Sequence, residues 1–201
     1  MLRTILLSTS LFAQVAFAAD MSDLAIRLVG DMIEDAKVTA EKITTPNKPQ
    51  SYCSIVKEYM SIERVSDKIL GPSWRRLPDV EQQEFIRSFQ SEIANFFYEK
   101  FENYLFESKI DLPKSVIDKN GRFDVRVNIT IENPDTINTY SSLEFTVIYE
   151  DEQLFVVDAK MLGFSFQKIK RQEFQKYRRD IPALTLKLKE KLAEASFPLC
   201  S

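Results

Sequence analysis

The sequence predicts one α+β domain: a helical N-terminal half, whose long Phe-rich helix packs on a curved antiparallel sheet, and helices again at the C-terminus. Three observations carry this reading. Large apolar residues recur at Phe85, Phe89, Ile93, Phe97, Phe101 and Leu105, a four-residue step held for about six turns of one helix. Phe123, Val125, Val127, Ile129 and Ile131 alternate with Asp124, Arg126, Asn128, Thr130 and Glu132, the pattern of a strand with one wet face. Helical spacing then returns after Gln167. Helices, then strands, then helices, with no βαβ alternation, fit an antiparallel sheet packed on helices.

The elements follow in order. Arg3 supplies a positive start, Thr4 to Ala18 carries no charge, and Ala16-Phe17-Ala18 is a small-x-small cleavage pattern before Ala19-Asp20. Residues 1–18 therefore read as a signal peptide, too short to span a bilayer, and residues 19–201 as the exported domain. No Cys follows the cleavage pattern, so a lipid anchor is not expected. Ser22 is placed to cap a first helix in which Leu24, Leu28, Met32 and Ala36 step by four. Thr44 to Pro49 is rich in breakers and reads as a loop. Helices are expected over about 51–60 and 62–70, the latter stopped by Gly71-Pro72. The long helix begins at Pro78, with Asp79 and Glu81 near its positive end.

The second half changes period. Asn133-Pro134-Asp135 ends the first strand. Leu143, Phe145, Val147 and Tyr149 form a second, and Leu154 to Met161 a third, joined as a hairpin through Glu150-Asp151-Glu152. Phe164 and Phe166 are placed to extend the sheet. Ile169, Phe174 and Tyr177 return to helical spacing, as do Leu184, Leu188 and Leu192 after Pro182. Asn128-Ile129-Thr130 matches a glycosylation sequon but lies mid-strand and is read as chance.

Composition excludes several functions. The chain has no histidine and only four glycines. Ser-His and Cys-His nucleophiles are therefore absent, a zinc site is not expected, and no glycine loop cradles a phosphate. An enzyme would have to work through groups such as Asp158 or Glu144, without a paired-carboxylate motif. The formal charge is −3, or −4 without Arg3, which does not suit a nucleic-acid partner. From Lys160 to Lys191, ten Lys and Arg face only Glu173, Asp180 and Glu190. That segment is either a solvated face or a surface for phosphate or an acidic partner. Cys53 and Cys200 are the two cysteines. In an exported chain such a pair suggests one disulfide, with two unpaired thiols as the alternative.

If the Phe-rich helix face and the sheet face meet fully, they make a solid core. Held apart at one end, they make an apolar pocket. Periodicity does not separate the two.

Two blocks bear on that choice. Ile62-Glu63-Arg64-Val65 leads to Leu70-Gly71-x-x-Trp74-Arg75, then Glu81-Gln82 and the Phe85/Phe89 pair. Later come Val156-x-Asp158, Gly163-Phe164-Ser165 and Arg171-x-x-Phe174. In order and spacing they resemble the MlaC family, periplasmic phospholipid-binding proteins also described as toluene-tolerance or ABC-transporter auxiliary components. Ser61 stands where that family often has Asp, Phe97 near a common Tyr, and Leu154 where Trp is frequent. The Cys53/Cys200 pair is not a general family feature.

The resemblance implies an apolar pocket between sheet and helices that buries phospholipid acyl chains, with no cofactor and no catalysis. It implies a shuttle across the periplasm between an outer-membrane lipoprotein–porin complex and an inner-membrane ABC transporter complex, maintaining outer-membrane lipid asymmetry. Leu70, Trp74, Phe85, Phe89, Ile93 and Phe97 are then candidates for the helical wall. Val125, Val127, Ile129, Phe145 and Val147 are candidates for the sheet wall. Trp74 either gates the mouth or plugs the helix–turn junction. Lys168, Lys170 and Arg171 are candidates for headgroup contact or docking. Arg171 either pairs with Asp158 or meets a phosphate. A carboxylate enzyme on a similar cone-shaped fold and a solid-core adaptor are the competing readings.

Overall fold

The computed structural model describes residues 9–42, 48–105, 108–114, 116–131, 139–161 and 163–200, and side chains for these except 9–20, 42, 100–105, 131, 139 and 140. Among the described residues, six α-helices and five strands occur, in the expected order apart from an added first strand: α1 (Thr9–Lys42), α2 (Lys48–Tyr59), α3 (Ile62–Leu70), α4 (Asp79–Leu105), β1 (Ser108–Asp111), β2 (Arg122–Ile131), β3 (Thr139–Glu150), β4 (Gln153–Met161), β5 (Phe164–Ser165), α5 (Phe166–Glu173) and α6 (Ile181–Glu194). The sheet is an antiparallel meander in the order β1-β2-β3-β4-β5. Residues 1–8 of the expected signal peptide and the Asn133-Pro134-Asp135 turn lie outside the described residues, as does most of the 44–49 loop.

Local chemistry sets the helix ends. Ser61 accepts a hydrogen bond from Arg64 N, capping α3, and Gly71 at φ 61° donates to Asp67 O beyond its last turn. Ser and Asp both cap well, so the Ser61 departure keeps this function. Asp180 caps α6 through Ala183 N. Two helix expectations need correction. Ser22 does not stand at a helix start, because α1 already runs through it from Thr9. The buried face of α1 is Met21, Ala25, Val29, Met32, Ile33, Ala36 and Ala40, while Leu24 is 38% exposed. A strict four-residue step advances about 400° and so drifts about 40° per step, carrying Leu24 off the face that Ala36 occupies.

The same drift divides α4. Phe85 and Phe97 lie three steps apart, so they point about 120° away from each other around the helix. Phe85, Phe89 and Ile93 are fully buried, whereas Phe97 is half-buried. Phe101 and Leu105, at the end of the expected stripe, lie outside the described side chains.

Register fixes the two sheet faces. Val125 pairs with Phe145 and Val127 with Leu143 on the inner face, while Asp124 pairs with Thr146 and Arg126 with Glu144 on the outer. Asp151 and Glu152, at φ 49° and 63°, form the two-residue β3–β4 turn, the left-handed pair that matches strand twist. Strand β1 has no alternating apolar signal and was not expected. Phe164 extends the sheet as expected, but Phe166 opens α5, because Ser165 Oγ accepts from Lys168 N and starts a helix there.

The outer face carries an ionic ladder. Glu144 is bonded by Lys160 and Arg126, and Asp124 by Lys119, Arg122 and Thr146. Hydrogen bonding from Lys160 holds the Glu144 carboxyl below its usual range, and from Arg75 does the same for Asp67. Burial alone would raise Asp124, but the bonds from Lys119 and Thr146 and the Arg122 charge outweigh it and lower it. All three folded-state values lie below the unfolded ones, so their stabilisation is present above the unfolded range and lost as pH falls through the folded values. The expected result is a urea midpoint that is flat from neutral pH to about 5 and falls below about pH 4. A midpoint rising in that acid range would refute the ladder's contribution.

Candidate functional site

Between α4 and the sheet lies an apolar cavity of about 250 Å³. Helix α1 makes the close backbone approach to β2 and β4, and α4 packs on α1, α2, α3 and α6. Around Ile93 and Phe97, α4 therefore faces the sheet across a space. Ile93, Phe96 and Phe97 line it from α4, Leu143, Ala159 and Met161 from the sheet, Phe166 and Ile169 from α5, with Met60, Phe164 and Lys160 completing the wall. Met161, Phe164 and Ile169 are 47%, 69% and 48% exposed and form its rim.

The rim is shaped by the Asp158–Ser165 block. Gly163 at φ 82° lets the chain reverse between β4 and β5, a backbone region that favours glycine. Asp158 is buried at the base of the reversal and accepts from Ser165 Oγ (2.7 Å), Gln167 N (3.0 Å) and Ala159 N (3.0 Å). This carboxylate is spent on fixing β5 and the start of α5. It does not pair with Arg171, contrary to one expectation. Arg171 Nη2 donates instead to Lys68 O, tying α5 to α3. Glu144 belongs to the outer ladder, so neither of the two carboxylates lines the cavity.

A second, smaller void of about 30 Å³ lies deeper, lined by Met32, Ile33, Ala36, Tyr52, Ile55, Val56, Met60, Phe97, Leu143 and Phe145. The Tyr52 hydroxyl is buried without a hydrogen-bond partner. Burial, then the neighbouring Tyr98, pushes its pKa up to about 12.

The candidate walls therefore divide. Ile93 and Phe97 line the outer cavity, and Phe97 and Phe145 the inner one. Leu70, Trp74, Phe85 and Phe89 line neither. They sit in a closed aromatic core in which Phe85 contacts Trp74 (5.8 Å between centroids), Phe89 (5.4 Å) and Phe174 (6.4 Å). Trp74, 3% exposed, is buried at the helix–turn junction against Phe85 and does not reach the cavity rim. Val125, Val127, Ile129 and Val147 also miss both cavities and pack within the core. Met60, Phe96, Leu143, Ala159, Lys160, Met161, Phe164, Phe166 and Ile169 line the outer cavity without having stood among the expected wall residues.

Lys170 is likewise withdrawn from the surface. Its ammonium is bonded to Glu92 and, at 2.8 Å, to Glu173, and lies over the Phe166 and Phe174 rings at 5.8 and 5.7 Å. Lys191 reaches Glu92 from α6 at 2.8 Å. Burial would lower the Lys191 pKa, but its bond to Glu92 and that charge raise it. This four-charge cluster is structural. Lys168 and Arg171 are the exposed members of the headgroup candidates.

Cys53 and Cys200 form a disulfide with Cα atoms 5.4 Å apart. Helix α4 holds both ends: Gln90 Nε2 donates to Cys53 O, and Cys200 N donates to Ser91 Oγ. Among the described residues no helix is long and apolar enough to cross a membrane, and no cluster of His, Cys, Asp and Glu is arranged to hold a metal.

No curated protein matches the chain. Among solved structures it is similar to a phospholipid-binding protein from Ralstonia solanacearum, determined in complex with a phospholipid. Identity is 17%, the TM-score is 0.67, and the match covers 86% of this chain and 98% of that one, which establishes a shared fold. The family model described as MlaC protein matches residues 27–190. With the α4 space, the Gly163 reversal and the Ser61-capped helix within that span, the chain belongs to the MlaC family.

Proposed function

We propose that this protein is a phospholipid carrier that takes acyl chains into the space between α4, α5 and the sheet and leaves the headgroup at the Met161–Phe164–Ile169 rim. The observation that carries this reading is the cavity itself: about 250 Å³, with Lys160 the one charged residue among its lining side chains. The membership in a phospholipid-binding family and the lipid-bound Ralstonia structure support the same cargo. Exposing two acyl chains of about 16 carbons to water costs on the order of 25 kcal/mol at about 0.8 kcal/mol per methylene. Moving them from a bilayer into an apolar wall is nearly neutral, so transfer needs no covalent chemistry.

In this reading residues 1–18 direct export and are removed, and residues 19–201 work in the periplasm. The protein there exchanges lipid with an inner-membrane ABC transporter complex and an outer-membrane lipoprotein–porin complex, supporting outer-membrane lipid asymmetry. Lys168 and Arg171 flank the rim and serve the headgroup or the docking partner. Protein purified from its own periplasm is expected to release phospholipid on denaturation, read by mass spectrometry. Absence of lipid, together with no uptake from liposomes, would favour the adaptor reading instead.

A further inference from the structure

The mouth of the outer cavity gathers apolar side chains that the fold leaves in water. Met161 and Phe164 are Cα partners across the β4–β5 pair, and Ile169 of α5 lines the same cavity. Phe164 is 69% exposed, directly after the Gly163 reversal. Single exposed apolar residues are ordinary on a protein surface, whereas three converging on one opening mark a place where something is met.

Cations border this opening. Lys168 precedes Ile169 on α5, and Arg171 follows it within one turn, both exposed. Arg171 Nη2 donates to Lys68 O, which brings the exposed Lys68 of α3 alongside. The neighbouring carboxylates are already taken: Asp67 by Arg75, Glu173 by Lys170 and Glu144 by Lys160. Lys68, Lys168 and Arg171 therefore have no carboxylate within ion-pair distance among the described residues. Three apolar and three basic side chains fall short of the roughly 20–30 residues a side that a stable protein interface uses. The same set suits a lipid surface. Apolar tips enter the boundary between headgroups and acyl chains, while cations meet the phosphates around them.

We propose that the Met161–Phe164–Ile169 rim, bordered by Lys68, Lys168 and Arg171, docks the protein directly on an anionic bilayer. The cavity mouth then opens onto the acyl region, and a tail passes from bilayer to apolar wall without crossing water. This assignment rests on the carrier reading for its purpose. It adds a route, exchange with the bilayer itself beside exchange with protein complexes.

The test is co-sedimentation with vesicles of phosphatidylcholine, alone or mixed with phosphatidylglycerol. Wild type is expected to favour the mixed vesicles and to lose that preference as salt rises and screens the charges. The double variant Lys68→Gln/Lys168→Gln changes two exposed residues that do not line the cavity. It is expected to weaken binding to mixed vesicles by about fivefold per cation, roughly 25-fold in all, and to leave binding to phosphatidylcholine unchanged. Phe164→Ser is expected to weaken binding to both vesicles by about tenfold. Wild type that sediments with neither vesicle, or variants that bind as wild type does, would overturn the docking surface. If that protein still releases phospholipid on denaturation, the carrier stands and the rim meets a protein partner instead. Vesicle binding by a protein that holds no lipid and takes none up would keep the docking surface and overturn the carrier.

Discussion

Replacing Cys53 and Cys200 together with alanine is expected to lower the unfolding free energy by about 3–5 kcal/mol. The bond closes a loop across 147 positions, and cross-linking so long a segment removes much of the freedom of the unfolded chain. Against a typical total of about 5–15 kcal/mol, that is a large share. A loss of about 10 °C in Tm is the corresponding thermal readout. Both residues are at most 2% exposed, so a reductant added to the native protein acts only as fast as the tail or the whole fold opens. The measurement is a pair of urea titrations, oxidised wild type against the double variant. Equal midpoints would mean that the α4 contacts at Ser91 and Gln90 hold the tail without the bond.

Glu92→Ala should be nearly as damaging, at about 3–5 kcal/mol. Glu92 is 2% exposed and joins Lys170 of α5 to Lys191 of α6, and its second oxygen has no partner. Without it, Lys170 keeps only Glu173 and two aromatic faces in a buried setting, where an under-paired ammonium is costly. Lys170→Met is expected to lose less, because Glu92 retains Lys191 and the thioether can stay on the Phe166 and Phe174 rings. Unfolding midpoints at unchanged m-value make the comparison. A Glu92→Ala variant within about 1 kcal/mol of wild type would show that the cluster is hydrated and not a buried ion pair.

The expected architecture was legible where local chemistry and period agree. Helix α3 runs from Ile62 to Leu70 as expected because a Ser61 cap and a Gly71 stop bound it. Strand β2 matches because Phe123 to Ile131 alternates without a break. The site was less legible because it depends on direction around α4. The four-residue step placed Phe85 and Phe97 on one stripe, while helix geometry turns them apart, one into the aromatic core and one to the cavity wall. Ile169 and Lys170 exchanged their expected places for a similar reason. The partner that draws Lys170 inward, Glu92, lies 78 positions away. No local pattern announces it.

The meander has a consequence for how the molecule is built. Every strand pairs with its sequence neighbour, so the sheet needs only short closures and can form early. Helix α6 meets α4 through Lys191–Glu92 and Lys189–Glu84, contacts that join residues about a hundred positions apart, and the final cysteine follows it. Such closures carry the greater entropy penalty and come late. Until they form, α4 lacks α6 and the tail packed against it, and nascent molecules expose apolar surface to one another. Oxidation of the cysteine pair then serves as the closing act of assembly, not as a guide to it.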